Sequence, residues 1–271
     1  MTERPPEEKP LPTIWRVPDE LWGKIEPILE EHDPPKKTGR PRADRRGVLD
    51  AVIFRLRTGC QWNRMPKELP EDATVYRTFQ RWVDIGVLDR IWATLVEECE
   101  ELGGVDWEVA GSGRGDGQGP FWGDLIGANR TDRGKNGVKR SLLVEADGGP
   151  LSVVVTGANV VRDDKLLEAT IDAIVVERPR PTEEAPQHLC LDKGYDNRPT
   201  RKIVEERSYV AHIRCIGEEE LDEAGEKRYP ARRWVVERTL GWLSKCRALL
   251  VRYDKKAANY LGLIKVACIL L

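Results

Sequence analysis

Two acidic residues, Asp192 and Glu237, occupy positions from which they could bind a divalent metal. Asp192 ends the short apolar run QHLCLD, and a carboxylate at the carboxyl end of a strand in an open α/β sheet lines the ligand crevice. Glu237 lies in the helical pattern RRWVVERTLGWLSKCR, whose apolar residues form a buried stripe. Acids that converge from separate elements suit Mg²⁺, which prefers oxygen ligands, and two such ions can promote phosphodiester cleavage and transfer.

Each acid also has a purely structural interpretation. Asp192 could cap a turn, and Glu237 could pair on the helix surface with Arg233, which precedes it by one helical turn. Surface pairs of this kind are common and are worth only about 0.3 kcal/mol each. The residues alone therefore leave both interpretations open.

The region that precedes these acids is predicted to be helical. Up to about residue 102, apolar residues recur at three- and four-residue spacing, which predicts four helices with short connections. Asp44 is the predicted N-cap of the second helix, which we expect to end near Gly59. With its basic face, the region is expected to form an all-α, helix-turn-helix-like DNA-binding domain over residues 1–102. A plain helical bundle with solvated arginines is the alternative.

Basic residues are concentrated between Lys36 and Arg46, where six basic residues accompany one acid, Asp44, although the net charge of the chain is −2. Arginines in such a stretch typically contact DNA phosphates, which position a protein without specifying sequence, and a solvated linker is the alternative. We expect Trp62 and Trp82, by contrast, to lie in the core rather than to stack on bases. The predicted DNA contacts are Arg40, Arg42, Arg45 and Arg46 in the basic stretch, and Arg77 and Arg81 on the polar face of the third helix.

From residue 103 onward, strand-like runs alternate with helices, which predicts an α/β domain with a mixed sheet over residues 103–271. Two of the β-rich runs flank Asp147-Gly148-Gly149-Pro150, a hairpin signal. Lys139 and Arg140 open the first of these runs and could steer DNA, with plain surface charge as an equal alternative. The predicted strands are 141–145, 151–156, 188–191 and 209–214, and the predicted helices are 163–176, 197–207, 232–250 and 259–271.

Composition excludes several classes of protein. No apolar run approaches the roughly 18 residues of a membrane span, and the N-terminus lacks the apolar core of a signal peptide, so we expect a cytoplasmic protein without membrane contact. The six cysteines are dispersed without a CxxC pair and are expected as small buried residues. The three histidines are not at ligand spacing, so a zinc site is not expected.

Four stretches together resemble the transposases of the insertion sequence five group, and their order and spacing match as well. The stretches are TDRGKNGVKRSLL (131–143), PLSVVVTGANVVRDDKLL (150–167), CLDKGYD (190–196) and RRWVVERTLGWL (232–243). The resemblance covers nearly the whole chain. It implies an RNase H-like catalytic domain that carries a triad of two aspartates and one glutamate, called DDE.

The resemblance also implies roles for particular residues. Asp192 corresponds to the second acid and Glu237 to the third, with Arg233 and Lys245 in or near the basic helix signature of the family. The implied cofactor is Mg²⁺ (or Mn²⁺), and the implied partner is double-stranded DNA, both the terminal inverted repeats of the element and the target. Because two ends of the element must be joined, we expect a homo-oligomer. We also expect it to be associated with the nucleoid, to cleave DNA and to transfer strands.

The first acid of the family motif is missing from this chain. The motif resembles WQ-x-x-DG-x-x-x-KAP-x-GG, and spacing from Trp107 and Thr131 places Gly113 where its acid belongs. Five glycines between positions 111 and 119 make a poor strand, so we predict an irregular segment over residues 109–125. Asp116, three residues downstream of Gly113, is a candidate stand-in for the missing acid.

A shift of reading frame would explain this departure. One permitted choice of codons for residues 108–122, read one base later from within the Val109 codon, encodes WQAVDGAMGKAPFG, which is the family motif. We therefore hypothesise two compensating frameshifts around residues 109–125, which the nucleotide sequence of the gene tests directly. The functional prediction is a transposase that the loss of the first catalytic acid could leave inactive. The alternatives are a catalytically dead DNA-binding relic and a metal-dependent nuclease without strand transfer.

Overall fold

A computed structural model of the chain describes residues 15–39, 41–120, 122–213 and 233–271. The carboxylate of Asp44 accepts a hydrogen bond from the backbone N–H of Gly47 at 2.8 Å, and Gly59 closes the second helix in the left-handed conformation, at φ 68°. Both findings confirm the predicted limits of that helix. The N-terminal helices are α1 (Asp19–His32), α2 (Arg45–Thr58), α3 (Asp72–Asp84) and α4 (Val87–Glu101).

The remaining described residues form a six-stranded sheet with helices. Strands β1, β5 and β6 are parallel neighbours, whereas β3 runs antiparallel to β1 and carries β4 and the short β2 along its other edge. This mixed sheet behind an all-α region confirms the predicted fold class of an α/β domain preceded by helices. The elements are β1 (Val109–Gln118), β2 (Gly127–Asn129), β3 (Lys135–Val144), β4 (Pro150–Gly157), α5 (Asp163–Asp172), β5 (His188–Leu191), α6 (Arg198–Glu206), β6 (Val210–Ile213), α7 (Arg233–Ser244), α8 (Arg247–Leu250) and α9 (Ala257–Ile269).

The prediction of an irregular segment is wrong for residues 109–118, which form the ten-residue strand β1. Local propensity disfavours glycine in a strand, but β1 lies in the middle of the sheet and pairs along most of its length with β3 and at its start with β5. Pairing with β3, which no local pattern reveals, holds these glycines extended, and Gly111 is also paired with β5. Residues 122–126, which follow, have no regular structure, as predicted.

The two faces of the sheet carry different helices. Atoms of Val236 in α7 lie within 4 Å of where side chains on Gly111 and Gly113 would be, so α7 covers one face of β1. Arg114, which points the opposite way because side chains alternate along a strand, contacts Asp163 at the start of α5. The sheet edge that holds the candidate acids is thus flanked by α7 on one face and by α5 on the other.

The helix predicted over 232–250 is interrupted. Its described part ends at Ser244, and α8 begins at Arg247. The break turns the carbonyl oxygen of Leu249 inward, where it accepts hydrogen bonds from the guanidinium of Arg140 at 3.2 Å and from the hydroxyl of Tyr260 at 2.9 Å. These partners come from β3 and α9, so the apolar periodicity of the helix could not reveal the break.

A hydrophobic core joins the N-terminal helices to the C-terminal ones. Phe79 and Trp82 of α3 belong to the same buried cluster as Leu263 and Ile264 of α9. The predicted boundary near residue 102 stays a prediction, since packing is continuous across it. Within the described ranges, no helix is long and apolar enough to cross a membrane.

Candidate active site and DNA-binding groove

Gly113, the position of the missing acid, lies two residues past the last pair that β1 forms with β5. The two strands are parallel, and that last pair is Gly111 and Cys190. Strand β5 ends at Leu191, and Asp192 is exposed immediately after it. Continuing the register past the end of β5 would bring the predicted second acid opposite the position where the first acid is expected.

Glu237 lies on α7, the helix that packs on the same glycine. Its neighbour Val236 is buried against β1, and a Cβ atom built on Gly113 would lie 2.9 Å from Cγ2 of Val236. Glu237 follows on the helix and is exposed. Asp192 and Glu237 thus lie on the two elements that neighbour this part of β1, one directly after β5 and the other on α7.

Asp116 lies on the other face of the sheet. Gly113 and Gly115 face α7, because a Cβ on either would lie close to side chains of that helix. Alternation along β1 then directs Asp116 to the face of α5, about 10 Å along the strand from Gly113. The structure does not bring Asp116 together with Asp192 and Glu237.

The candidate acids give an incomplete metal site. Exposed carboxylates such as those of Asp192 and Glu237 suit a hard divalent cation. The third position, however, is glycine, and no group of three metal-ligating side chains occurs in the described part of the chain. The residues present do not complete a three-carboxylate site, and no cleavage step through a metal follows for the chain as it stands.

Behind the candidate site, on the face of α5, lies an ion-pair cluster that the sequence pattern did not single out. The carboxylate of Asp163 accepts hydrogen bonds from the Lys139 ammonium, at 2.7 Å, and from the Arg114 guanidinium. Partial burial opposes ionisation of Asp163, but these two hydrogen bonds outweigh it and lower the pKa of the carboxyl. The only sequence signal for Asp163 was its place at the start of a predicted helix.

Tyr195, three residues after Asp192, is buried beside this cluster. Burial, with a smaller contribution from the Asp163 carboxylate, raises the pKa of Tyr195 to about 12. Its hydroxyl makes no hydrogen bond within the described part of the chain. The backbone N–H of Tyr195 donates to the carbonyl oxygen of Asp192 at 2.9 Å, so the buried ring anchors the loop that carries this acid.

Two predicted DNA contacts on β3 are buried. Arg140 is 3% exposed and donates to Leu249, so the prediction that it steers DNA is wrong, and so is the alternative of surface charge. Lys139 is 7% exposed, and its ammonium is paired with Asp163, at the edge of an open pocket. The start of α5 covers Lys139 and the C-terminal helices cover Arg140, which a local charge pattern could not show.

A basic groove of about 560 Å³ runs beside α3 and is lined by Lys36, Arg42, Arg77 and Arg81. Asp33 lies below it and is 2% exposed. It forms an ion pair with Arg42 and accepts two hydrogen bonds from Arg81, at 3.1 and 2.8 Å. Lys36 and Arg77 are exposed, so the groove keeps a positive surplus.

Other predicted DNA contacts are scattered. Arg45 donates to the carbonyl oxygen of Asp33 at 2.5 Å, and Arg46 forms an ion pair with Asp19. Lys245 is exposed directly after α7. Arg40 and the side chain of Arg233 lie outside the described residues.

Comparison with known proteins places two family profiles along the chain. A family described as "Putative transposase of IS4/5 family" matches residues 17–92, and one described as "Transposase DDE domain" matches residues 102–271. The second match spans more than half of the chain.

Two curated relatives come from Burkholderia cepacia. The "Putative transposase for insertion sequence element IS402" is 34% identical over 154 residues, which are 55% of this chain and 70% of that protein. The "Insertion element IS402 uncharacterized 16.2 kDa protein" is 32% identical over 98 residues, or 35% of this chain and 67% of that protein.

Among solved structures, the "Crystal structure of the Mos1 mariner paired end complex with Mn" covers 94% of this chain and 88% of its own, at 11% identity. Its TM-score of 0.30 is too low to support any inference about this chain.

Proposed function

Since this chain belongs to the DDE-domain transposases, as the resemblance predicted, we propose that it binds the terminal inverted repeats of an insertion sequence as a homo-oligomer. The family carries out metal-dependent transposition. We further propose that Asp192 and Glu237 are two of three ligands for Mg²⁺ or Mn²⁺, and that cleavage and strand transfer are severely reduced in this copy because Gly113 replaces the third.

The surroundings of Gly113 support this proposal. Asp192 follows β5, which pairs with β1 up to Gly111, and Val236, which precedes Glu237, packs on Gly113, at the position that the family motif assigns to an acid. Loss of one carboxylate leaves fewer oxygen ligands and less negative charge, so metal binding should weaken.

The basic groove beside α3 supports the DNA-binding half of the proposal. Arg77 and Lys36 are exposed on it, whereas Arg42 and Arg81 are held in place by the buried carboxylate of Asp33. Fixed arginines contact phosphates with little loss of side-chain entropy, and exposed cations add salt-dependent affinity. Arg40, Arg45, Arg46, Lys245 and Arg233 remain proposed contacts of lower priority.

The test compares wild type with the variant Gly113→Asp/Val236→Ala on a duplex that carries the inverted repeat flanking the gene. Both proteins should bind the repeat alike, but only the variant should cleave it and join it to target DNA in Mg²⁺ or Mn²⁺. Adding Asp192→Asn to the variant should abolish cleavage and keep binding. Equal cleavage by wild type and variant would show that Gly113 does not limit the reaction.

A catalytically dead DNA-binding protein is the second candidate, and Gly113 itself is the observation that favours it. Repeat binding without cleavage, in wild type and in the double variant alike, would support this candidate. Cleavage without joining would instead indicate a metal-dependent nuclease. Failure to bind the repeat at all would overturn the proposed function.

A further inference from the structure

A second open groove, of about 850 Å³, lies where the N-terminal helices meet the segment that leads into α9. We call it the Tyr253 groove. Its described lining includes three aromatic rings and three exposed cations, namely Trp62, Tyr76, Tyr253, Arg64, Lys255 and Lys256. Its volume is within the range of small-molecule binding sites.

The floor of the Tyr253 groove is aromatic and held in place. The rings of Trp62 and Tyr76 lie 5.1 Å apart, and the guanidinium of Arg55 lies 4.4 Å above the Trp62 ring. The indole N–H of Trp62 points to the carboxylate of Asp254 at 3.4 Å, and the amide of Asn259 donates to the Tyr76 hydroxyl at 3.3 Å. The two rings are tilted by 55° to one another and are partly exposed, so a fixed aromatic edge lines the groove against which another ring can pack.

The wall of the groove exposes a third ring. Tyr253 is 68% exposed, an unusual state for a large aromatic side chain in a folded protein. It precedes Asp254, which is buried and anchors this segment to α2 through the ion pair with Arg55 at 2.9 Å. The exposed ring is therefore carried on a fixed backbone and does not belong to a loose loop.

The charge of the groove favours an anion. Asp254 is the acid among its described lining residues, and this carboxylate is already paired with Arg55. Arg64, Lys255 and Lys256 are exposed around it. Lys255 also lies 3.6 Å above the ring of Trp122, a further exposed aromatic beside the groove. Stacking rings among surplus cations match bases joined by phosphates.

The segment that carries Tyr253 starts beside the end of β1, the strand that holds Gly113. Val251 pairs with Gln118, the last residue of β1, so the segment with Tyr253 begins where β1 ends. Gly113 precedes Gln118 by five residues, about 16 Å of extended strand.

We propose that the Tyr253 groove binds unpaired nucleotides of a DNA strand, with bases stacked on its rings and phosphates held by Arg64, Lys255 and Lys256. Aromatic platforms beside basic side chains are how proteins bind single strands without sequence preference. The choice of a DNA strand over a free nucleotide rests on the proposed function.

The test uses the full chain and a labelled oligothymidine of about 12 nucleotides, a length typical of single-strand sites. Tyr253→Ala should weaken binding roughly tenfold, whereas Tyr253→Phe, which keeps the ring, should bind like wild type. Lys255→Ala/Lys256→Ala should lower the slope of log affinity against log salt by about 1.4. The matched control Lys165→Ala/Lys202→Ala removes two exposed lysines elsewhere and should leave the slope unchanged.

Three competitors distinguish binding of a nucleotide strand from binding of a single nucleotide and from binding of negative charge alone. Unlabelled oligothymidine should compete well, and thymidine monophosphate only at much higher concentration, because it offers one base and one phosphate. Poly-glutamate should compete poorly because it has charge without rings. Wild-type affinity of Tyr253→Ala, or equal competition by poly-glutamate or by the monophosphate, overturns the proposal.

A further measurement, on duplex DNA, distinguishes failure of this inference from failure of the proposed function. Arg77→Ala should weaken binding of a blunt duplex and spare the oligothymidine, whereas Tyr253→Ala should do the reverse. If the protein does not bind the repeat duplex but its binding of oligothymidine still depends on Tyr253, the proposed function fails and the groove proposal is supported. If Tyr253→Ala weakens both probes equally, the groove proposal fails.

Discussion

A Cβ atom built on Gly113 would lie 2.9 Å from Cγ2 and 3.0 Å from Cγ1 of Val236. Real Cβ atoms essentially never approach another carbon so closely, and the β-branched side chain of Val236 has little rotamer freedom to move away. Helix α7 is therefore packed on β1 at a spacing that only glycine permits. An acid cannot return to position 113 unless Val236 or the helix gives way.

The first prediction concerns this close packing. Gly113→Ala should lower the free energy of unfolding by about 1–3 kcal/mol, as overpacked core substitutions do. Gly194→Ala is the matched control, since no atom lies within 4 Å of the added methyl there, and it should be neutral or slightly stabilising. Urea denaturation measures both. Equal stability of the two variants would falsify the packing that we describe.

The second prediction concerns metal affinity. Gly113→Asp/Val236→Ala should bind Mn²⁺ more tightly than wild type, because one more carboxylate near a divalent ion contributes about 2 kcal/mol at 4 Å even in water. That energy corresponds to roughly a 30-fold lower Kd in calorimetry. Gly113→Asn/Val236→Ala has nearly the same shape without the charge and should stay near the wild-type value. If the asparagine variant gains as much affinity, the carboxylate is not the cause.

Local signals were enough to predict much of the fold. Asp44 and Gly59 have side-chain and backbone preferences that mark helix ends, and the structure has both. Strand β5 has the predicted limits, because the short run His-Leu-Cys-Leu between polar neighbours leaves little choice. Asp192 could be placed for the same reason, since it follows that strand directly.

What could not be predicted depends on partners distant in sequence. The glycines of β1 are extended because β3 and β5 pair with them, and Arg140 is buried because α8 turns the carbonyl of Leu249 toward it. Predicting the position of Gly113 relative to Val236 requires knowledge of the strand, the helix and the way they pack on each other. Charge and periodicity describe single elements, so they do not contain this information.

The third prediction concerns Asp33, which is buried and receives Arg42, Arg81 and the indole N–H of Trp82 at 3.0 Å. Asp33→Ala should lower the free energy of unfolding by about 3 kcal/mol, because it leaves charged and polar hydrogen-bond donors without an acceptor in partly buried positions. Asp19→Ala removes a carboxylate that is 90% exposed in its pair with Arg46, and should cost less than about 1 kcal/mol. Chemical denaturation of the two variants checks the difference, and similar losses would contradict a special role for Asp33.

The fourth prediction concerns alkaline stability and Tyr195. Burial raises the pKa of Tyr195 to about 12, above the value near 10 expected in the unfolded chain. A raised folded-state pKa stabilises the protein fully below about pH 10, and this stability is lost as the pH rises toward 12, because the unfolded chain ionises first. Tyr195→Phe removes the titrating hydroxyl, which has no hydrogen-bond partner in the described residues, so the variant should match wild type at pH 7 and lose less stability between pH 10 and 12. Denaturation curves collected across that range decide the matter: parallel losses in the two proteins would mean that Tyr195 ionises as freely in the folded chain as in the unfolded one.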